Sequence, residues 1–323
     1  MDTERLAEKE RYDMLAEMAD LYYNQGKTQS EIAKYFDTNR FRVAKLLQDA
    51  RNEQIVEIKI NYANERNKAL EAELKDNLPL EKAIVVNTQY APYIDSQIQL
   101  GKAGADYLQR LLGPESVIGI AWGKTLYSVI SQLPSVVHNP VTAVQITGYM
   151  KMTNPSIDTR ELVRAVATAF NGNYYYIDLP IYLKDEELWQ KLREEPVMRE
   201  TLDKTKHMDV ILSGIGGKSS LPMNNPQMKD YLSEADCNAS GECLGSLYGY
   251  VLDKEGCIAD LDINQKLVGA ARSDILKTPH RIVVACGRHK TECIIKALHQ
   301  GLFNELVTDS DTAIHLVEKY RNK

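Results

Sequence analysis

Apolar positions recur at helical spacing through residues 1–55, a stretch rich in Glu, Lys, Ala and Leu and free of proline. Ile32, Ala33 and Phe36 form one face of a short predicted helix, and Asp37-Thr38-Asn39 interrupts it. Val43, Leu46, Leu47 and Ala50 then fall at i, i+3, i+4 and i+7, the buried stripe of a second helix. Residues 54–60 alternate apolar and polar, which predicts a strand. Residues 64–78 return to helical spacing. Leu70, Leu74 and Leu78 make a narrow stripe there, suited to a connecting helix or a coiled contact, and Pro79 ends the run.

From Lys82 onward the rhythm changes. Short β-branched runs at 83–87, 116–121, 141–146, 174–178, 209–213, 281–285 and 305–308 alternate with amphipathic runs at 97–112, 125–133, 159–170, 185–202, 290–300 and 310–320. Such alternation predicts an α/β domain with a doubly wound, mostly parallel sheet. Residues 244–259 differ, reading as a hairpin with its turn at Lys254-Glu255-Gly256. The expected organisation is a small helical domain over 1–60, a linker helix over 61–80 and a large α/β domain over 81–323.

The N-terminal pattern carries chemistry. Thr28-Gln29-Ser30-Glu31 fits a capping box, and Asn39 is a good N-cap for the next helix. Arg40, Arg42 and Lys45 lead that helix off its apolar face. A short helix, a tight turn and a second helix with a basic leading half is the layout that sets a recognition helix in the major groove. The chain as a whole carries a formal charge of −6, so any polyanion-binding surface must be local.

Composition narrows the rest. Of 323 residues, 44% are hydrophobic and 26% charged, ordinary values for a folded protein with a real core. Cys237, Cys243, Cys257, Cys286 and Cys293 are odd in number and lack C-x-x-C spacing, which argues against a disulfide framework or a zinc knuckle and for a reducing cytoplasm. Neither a signal peptide nor a membrane-length apolar run is expected. The six histidines show no metal-ligand pairing, so neither a metal nor a cofactor is expected, and no nucleophile–base pair reads as catalytic.

Glycine follows four predicted strands. Trp122-Gly123-Lys124-Thr125 follows the second, Thr147-Gly148 the third, Gly214-Ile215-Gly216-Gly217 the fifth and Cys286-Gly287-Arg288-His289-Lys290 the sixth. In an open α/β sheet, ligands sit beyond the carboxyl ends of strands, and backbone amides there favour anions. Any one such junction is an ordinary tight turn as readily as a site; four on one sheet point to a pocket.

These residues also carry a family resemblance. TQSEIAKYFDTNRFRVAKLLQDARNEQIVEIKI resembles the N-terminal module of the SorC-type (SorC/DeoR-like) sugar-binding transcriptional regulators, through Leu21-Tyr22-Tyr23, Gly26, Thr28-Gln29, Glu31-Ile32-Ala33 and Ile55-Val56-Glu57-Ile58. VIGIAWGKTL, AVQITG, DVILSGIGG and VVACGRHKTECIIKALHQGLFNELVTDSDTA are similar to that family's effector-domain motifs, so the likeness covers nearly the whole chain. It implies a winged-helix-like DNA-binding head and an effector domain related to sugar-phosphate isomerases and deaminases. It also implies operator DNA and a sugar or sugar phosphate as partners, and a homo-oligomer, dimer or tetramer. By position it assigns Thr28, Gln29, Asn39, Arg40, Phe41, Arg42 and Lys45 to DNA. It assigns Gly123, Lys124, Thr125, Gln145, Gly148, Gly214, Gly216, Gly217, Gly287 and Lys290 to the effector.

The chain departs from the family at several points. Asp37-Thr38 stands where the family has Gly and an aliphatic residue, and Phe41-Arg42 where it commonly has Ser and Thr, which implies a different operator. Gly245-Ser246 and Gly249-Tyr250 replace a stretch with frequent Asp and Arg, and Tyr149 replaces a Gly, which implies a reshaped pocket. The expected function is transcriptional regulation of a carbohydrate operon; the alternative is a sugar-phosphate isomerase or deaminase with a DNA-binding head.

Overall fold

The computed structural model describes residues 2–56, 66–88, 93–134, 139–150 and 154–321. Contacts divide the chain into two units, Met1–Ala63 and Asn64–Lys323.

The smaller unit is three helices, Asp2–Tyr23, Gln29–Tyr35 and Arg40–Asn52. Leu15 and Met18 from the first, Ile32 from the second and Val43, Leu47 and Ala50 from the third form its core, and Leu46 packs at the edge. Local chemistry sets the two later helix starts. The Thr28 hydroxyl accepts the Glu31 N–H at 3.3 Å, and the Glu31 carboxylate accepts the Thr28 N–H at 2.8 Å, completing the capping box. The Thr28 hydroxyl also donates to Glu31 Oε2 at 2.8 Å, and with the Thr28 N–H it holds the exposed Glu31 carboxyl below its ordinary range. Asn39 Oδ1 accepts the Arg42 N–H at 2.9 Å. Asp37 takes a φ of 47°, the left-handed turn conformation that a short polar side chain tolerates. The strand expected over 54–60 does not begin at Gln54, which sits in a turn at φ 58°; residues 57–60 lie outside the described residues.

The larger unit is built on strands β1 (Lys82–Val86), β2 (Val117–Ile120), β3 (Thr142–Gln145), β4 (Asn173–Tyr175), β5 (Val210–Gly217), β6 (Gly245–Leu247), β7 (Tyr250–Leu252), β8 (His280–Val284) and β9 (Glu305–Asp309). Seven of them lie in the order β1-β9-β8-β5-β2-β3-β4, all pairs parallel, and β6 and β7 extend β5 as an antiparallel hairpin. The chain runs outward from β2 through β3 to β4, then returns to place β5 on the other side of β2. That reversal is the switch point at which doubly wound sheets open a crevice. Helices Tyr93–Leu111, Lys124–Ile130 and Thr159–Ala169 pack as one group, and Lys68–Asn77, Thr291–His299 and Ser310–Arg321 as another. Apart from the edge strand β4, whose Asn173 and Tyr174 are exposed, the strands between them are mostly buried, which explains their Val/Ile/Leu/Ala content.

Four local expectations differ from the structure, three of them through tertiary context. Leu74 and Leu78 are buried and Leu70 packs on the same core, so the stripe read as a coiled contact is consumed inside the larger unit. The helix expected over 185–202 is two, Glu186–Leu192 and Pro196–Thr205, because Pro196 has no N–H to continue the first. The hairpin turns at Tyr248-Gly249, with φ of 56° and 88°, the signature of a type I′ turn. Lys254-Glu255-Gly256 forms a later turn, held by the N–H groups of Glu255 and Cys257 donating to Asp253 Oδ1 at 2.9 Å each. Finally, Gly214–Gly217 is strand rather than loop, because Gly216 and Gly217 pair with Ser246 and Gly245.

Candidate functional site

The carboxyl ends of β2, β5 and β8, adjacent in the sheet, open into a cavity of about 670 Å³, a size suited to a small metabolite. Seven of the ten predicted effector residues line it: Gly123, Lys124, Thr125, Gly214, Gly216, Gly217 and Lys290. Gly123 stands at φ 126°, a conformation that favours glycine, and turns β2 into helix Lys124–Ile130. Gly216 allows close approach: a Cβ there would meet Ser220 Oγ at 1.9 Å. The glycines of β5 thus clear space beneath the segment that follows them.

Three predicted residues stand elsewhere. Gln145 is fully buried, its amide donating to the Thr147 carbonyl at 2.6 Å and accepting the Ile177 N–H at 3.2 Å. Gly148 lets the backbone at Leu179 and Pro180 come within 2.6 Å of where a Cβ would be. Gly287, at φ 109°, donates its N–H to Thr312 Oγ1 at 2.8 Å beside the cavity. Each serves the frame of the site rather than its wall.

The wall includes polar groups that the sequence did not assign to the effector. Gln97, Ser213, Ser219, Ser220, Asn224, Asn225 and Ser246 add hydroxyls and amides, and Tyr248, Cys286 and Trp122 add bulk. The one available signal was the Pro222-Met223-Asn224-Asn225-Pro226 run, which marks a turn but not the cavity it covers. His289, from the junction after β8, is exposed and also lines the cavity. Asp158, Asp253 and Asp309 accept backbone N–H groups at helix starts or a turn.

Among the described residues lining the cavity there is no Asp or Glu, whereas Lys124 and Lys290 both face it. Lys124 is exposed and Lys290 half-buried. Burial pushes the Lys290 ammonium below the usual lysine range, and no salt bridge is seen for it among the described residues. Burial also raises the thiols: Cys286, despite a 2.9 Å bond from Gln97 Nε2, and Cys293, pushed up to about 12. Both cysteines are therefore neutral packing groups at physiological pH. A cationic, carboxylate-free cavity rich in hydroxyls and amides is built to take a small polar anion. No group of three or more His, Cys, Asp or Glu is placed to hold a metal among the described residues, and no helix is long and apolar enough to cross a membrane.

A second surface lies on the smaller unit. Arg40, Phe41, Arg42 and Lys45 are exposed on helix Arg40–Asn52. Thr28 and Asn39 spend their side-chain oxygens on capping, and Gln29 lines a hollow of about 350 Å³ with Tyr22, Tyr23, Gln48 and Arg51. Arg51 Nε donates to the Tyr23 hydroxyl at 2.8 Å, and Arg11 makes a two-point ion pair with Glu53 at 2.6 and 2.8 Å. The recognition-type helix is thus braced at its far end while its leading basic residues stay free of carboxylate partners among the described residues.

Comparisons with known proteins agree with this architecture. Residues 62–318 match the model of the family described as "Putative sugar-binding domain". The chain is 26% identical over 302 residues to the sorbitol operon regulator of Klebsiella pneumoniae, covering 93% of this chain and 96% of that protein. It is 24% identical over 316 residues to the deoxyribonucleoside regulator of Bacillus subtilis (strain 168), covering 96% and 99%. The crystal structure of the full-length sorbitol operon regulator SorC from Klebsiella pneumoniae aligns with a TM-score of 0.67 at 25% identity, over 95% of this chain and 99% of that one.

Proposed function

From its membership of the sugar-binding-domain family of SorC-type transcriptional regulators, to which this chain belongs, we propose that it reads operator DNA with helix Arg40–Asn52 and answers to a sugar phosphate held at the ends of β2, β5 and β8. The observation that carries the choice of effector is the cavity's charge: two lysines and no carboxylate among its described lining residues. A neutral sugar is usually gripped by carboxylates that accept from its hydroxyls, whereas a phosphate needs cations and N–H donors. Lys290 and Lys124 would hold the phosphate, with Thr125 and the backbone at Gly214–Gly217 beside it. Gln97, Asn224 and Asn225 would read hydroxyls.

Its relatives are regulators rather than enzymes, which sets aside the isomerase or deaminase alternative. One helix-turn-helix covers one half-site, so the reading requires a homodimer or a higher homo-oligomer on a palindromic operator, working in the cytoplasm. The effector acts by preferring one of two states of the regulator that differ in DNA affinity.

A thermal-shift screen tests the effector reading. Hexose and pentose phosphates should raise the melting temperature, by on the order of 5 °C at a hundredfold excess over Kd, and the parent sugars should not. Equal stabilisation by an unphosphorylated sugar would remove the anion reading. On the DNA side, Arg42→Ala should weaken specific operator binding by about 1–3 kcal/mol if the guanidinium reads a base edge. Titration at fixed salt measures this, and unchanged affinity in the Arg40, Arg42 and Lys45 alanine variants would show that another element reads the DNA.

A further inference from the structure

Phe41 is the second residue of helix Arg40–Asn52, and 72% of its surface is exposed, more than for any other large apolar residue of that helix. It carries no group that can donate or accept a hydrogen bond. The Arg40 guanidinium lies 4.8 Å from the centre of its ring, close enough for a cation–π contact that steadies the aromatic side chain. Arg42 and Lys45 are exposed beside it, and the first acidic residue of the helix is Asp49. The ring is therefore presented at the leading end of the helix among three cations.

That setting selects an occupant. A second copy of the same surface would bring Arg40, Arg42 and Lys45 against their own counterparts, a like-charge contact with nothing to offset it. A DNA groove offers the complementary charge. The residues that reach base edges in this architecture come from the N-terminal part of the recognition helix. In the major groove every base edge is polar except one group, the C5-methyl of thymine. We propose that Phe41 is a specificity-determining residue that reads the methyl group of one thymine in each operator half-site, with Arg40 as the residue that positions its ring. This rests on the DNA-reading role proposed above and assigns that surface a particular base.

The test uses the full-length protein and a duplex selected by it from a random-sequence pool. Each thymine of that duplex is replaced in turn by deoxyuridine, which removes the methyl and leaves every hydrogen-bonding group. Wild-type protein should lose about fourfold in affinity at one thymine per half-site, the effect of exposing one buried methyl. Phe41→Ala should bind the thymine and deoxyuridine forms equally, and Phe41→Leu should keep part of the difference. At that position a cytosine should bind more weakly than a 5-methylcytosine to wild type, and the two should be equal for Phe41→Ala. Because the ring is exposed, both variants should melt like wild type. If no thymine shows a methyl effect, or if the effect is unchanged in Phe41→Ala, the assignment is overturned while DNA reading stands. If the selection yields no preferred duplex, the DNA-reading role itself falls and the assignment with it.

Discussion

Replacing Lys290 with alanine is expected to lower affinity for the sugar phosphate that stabilises the protein by one to two orders of magnitude. Charge-assisted hydrogen bonds contribute about 1.5–3 kcal/mol each, and Lys290 is half-buried, so solvent screens it little. Lys124 is exposed, and its alanine variant should lose less. Titration adds a second signature. Burial lowers the Lys290 pKa from 10.5, and a phosphate oxyanion favours the charged form. Affinity should therefore fall as pH rises through the lowered pKa, earlier than for a solvated lysine. In that alkaline window binding should take up a proton, seen by calorimetry in two buffers of different ionisation enthalpy. Lys290→Ala should abolish the uptake. Undiminished affinity in this variant would place the anion elsewhere.

Removing the Glu71 carboxylate is expected to cost substantial stability. It is buried where the larger unit begins, accepting from Arg66 Nε and Nη2 at 2.6 and 2.8 Å, from Lys68 Nζ at 3.2 Å and from the Val85 N–H of β1 at 3.1 Å. Through it the start of helix Lys68–Asn77 is tied to an edge strand. Glu71→Ala leaves Arg66 and the Val85 N–H without this partner and should cost about 3 kcal/mol, the lower end for a buried pair, because the Arg66 side chain keeps 25% of its surface in water. Glu71→Gln retains an acceptor for Val85 and should cost less.

The acid limb follows with a definite sign. Burial pushes the Glu71 carboxyl up, but the Arg66, Val85 and Lys68 donors together outweigh it and leave the pKa below 4.5. A folded-state pKa below the unfolded value gives stability that is fully present above pH 4.5 and is lost as pH falls through the folded value. Urea unfolding from pH 7 to pH 3 should show that loss in wild type and a flatter curve in Glu71→Gln. A wild-type acid slope retained in the glutamine variant would assign the slope to other groups.

The small unit shows how far sequence reaches when causes are local. The Thr28–Glu31 box, the Asn39 cap and the Val43, Leu47 and Ala50 stripe involve residues three, four or seven apart, and all were legible because a helix makes such residues neighbours. The seven parallel strands were legible for a related reason. Apart from the exposed edge strand β4, they are buried and read as short apolar runs, and glycine after a strand marks where its chain must turn. Those marks put seven of ten expected residues on one cavity wall.

The rest depended on which segments meet. That Leu74 and Leu78 face their own core, and not a partner, follows from where helix Lys68–Asn77 docks; its stripe alone specifies only that it must dock. Gly214–Gly217 reads as a phosphate-cradling loop until β6 pairs with it and makes it strand. Gln145 and Gly148 sit at a strand's carboxyl end, yet the Ile177 N–H and the backbone at Leu179–Pro180 claim the space around them. The amides of Asn224 and Asn225 reach the cavity from a segment with no regular period to read. By itself the sequence determined most of the elements, the caps of the small unit and the strand ends at which the cavity opens, because each follows from residues close in the chain. The walls and charge of the cavity were decided only by tertiary structure, because they are assembled from β2, β5, β8 and the Ser219–Pro226 stretch, which meet through pairing register and packing that no local pattern encodes.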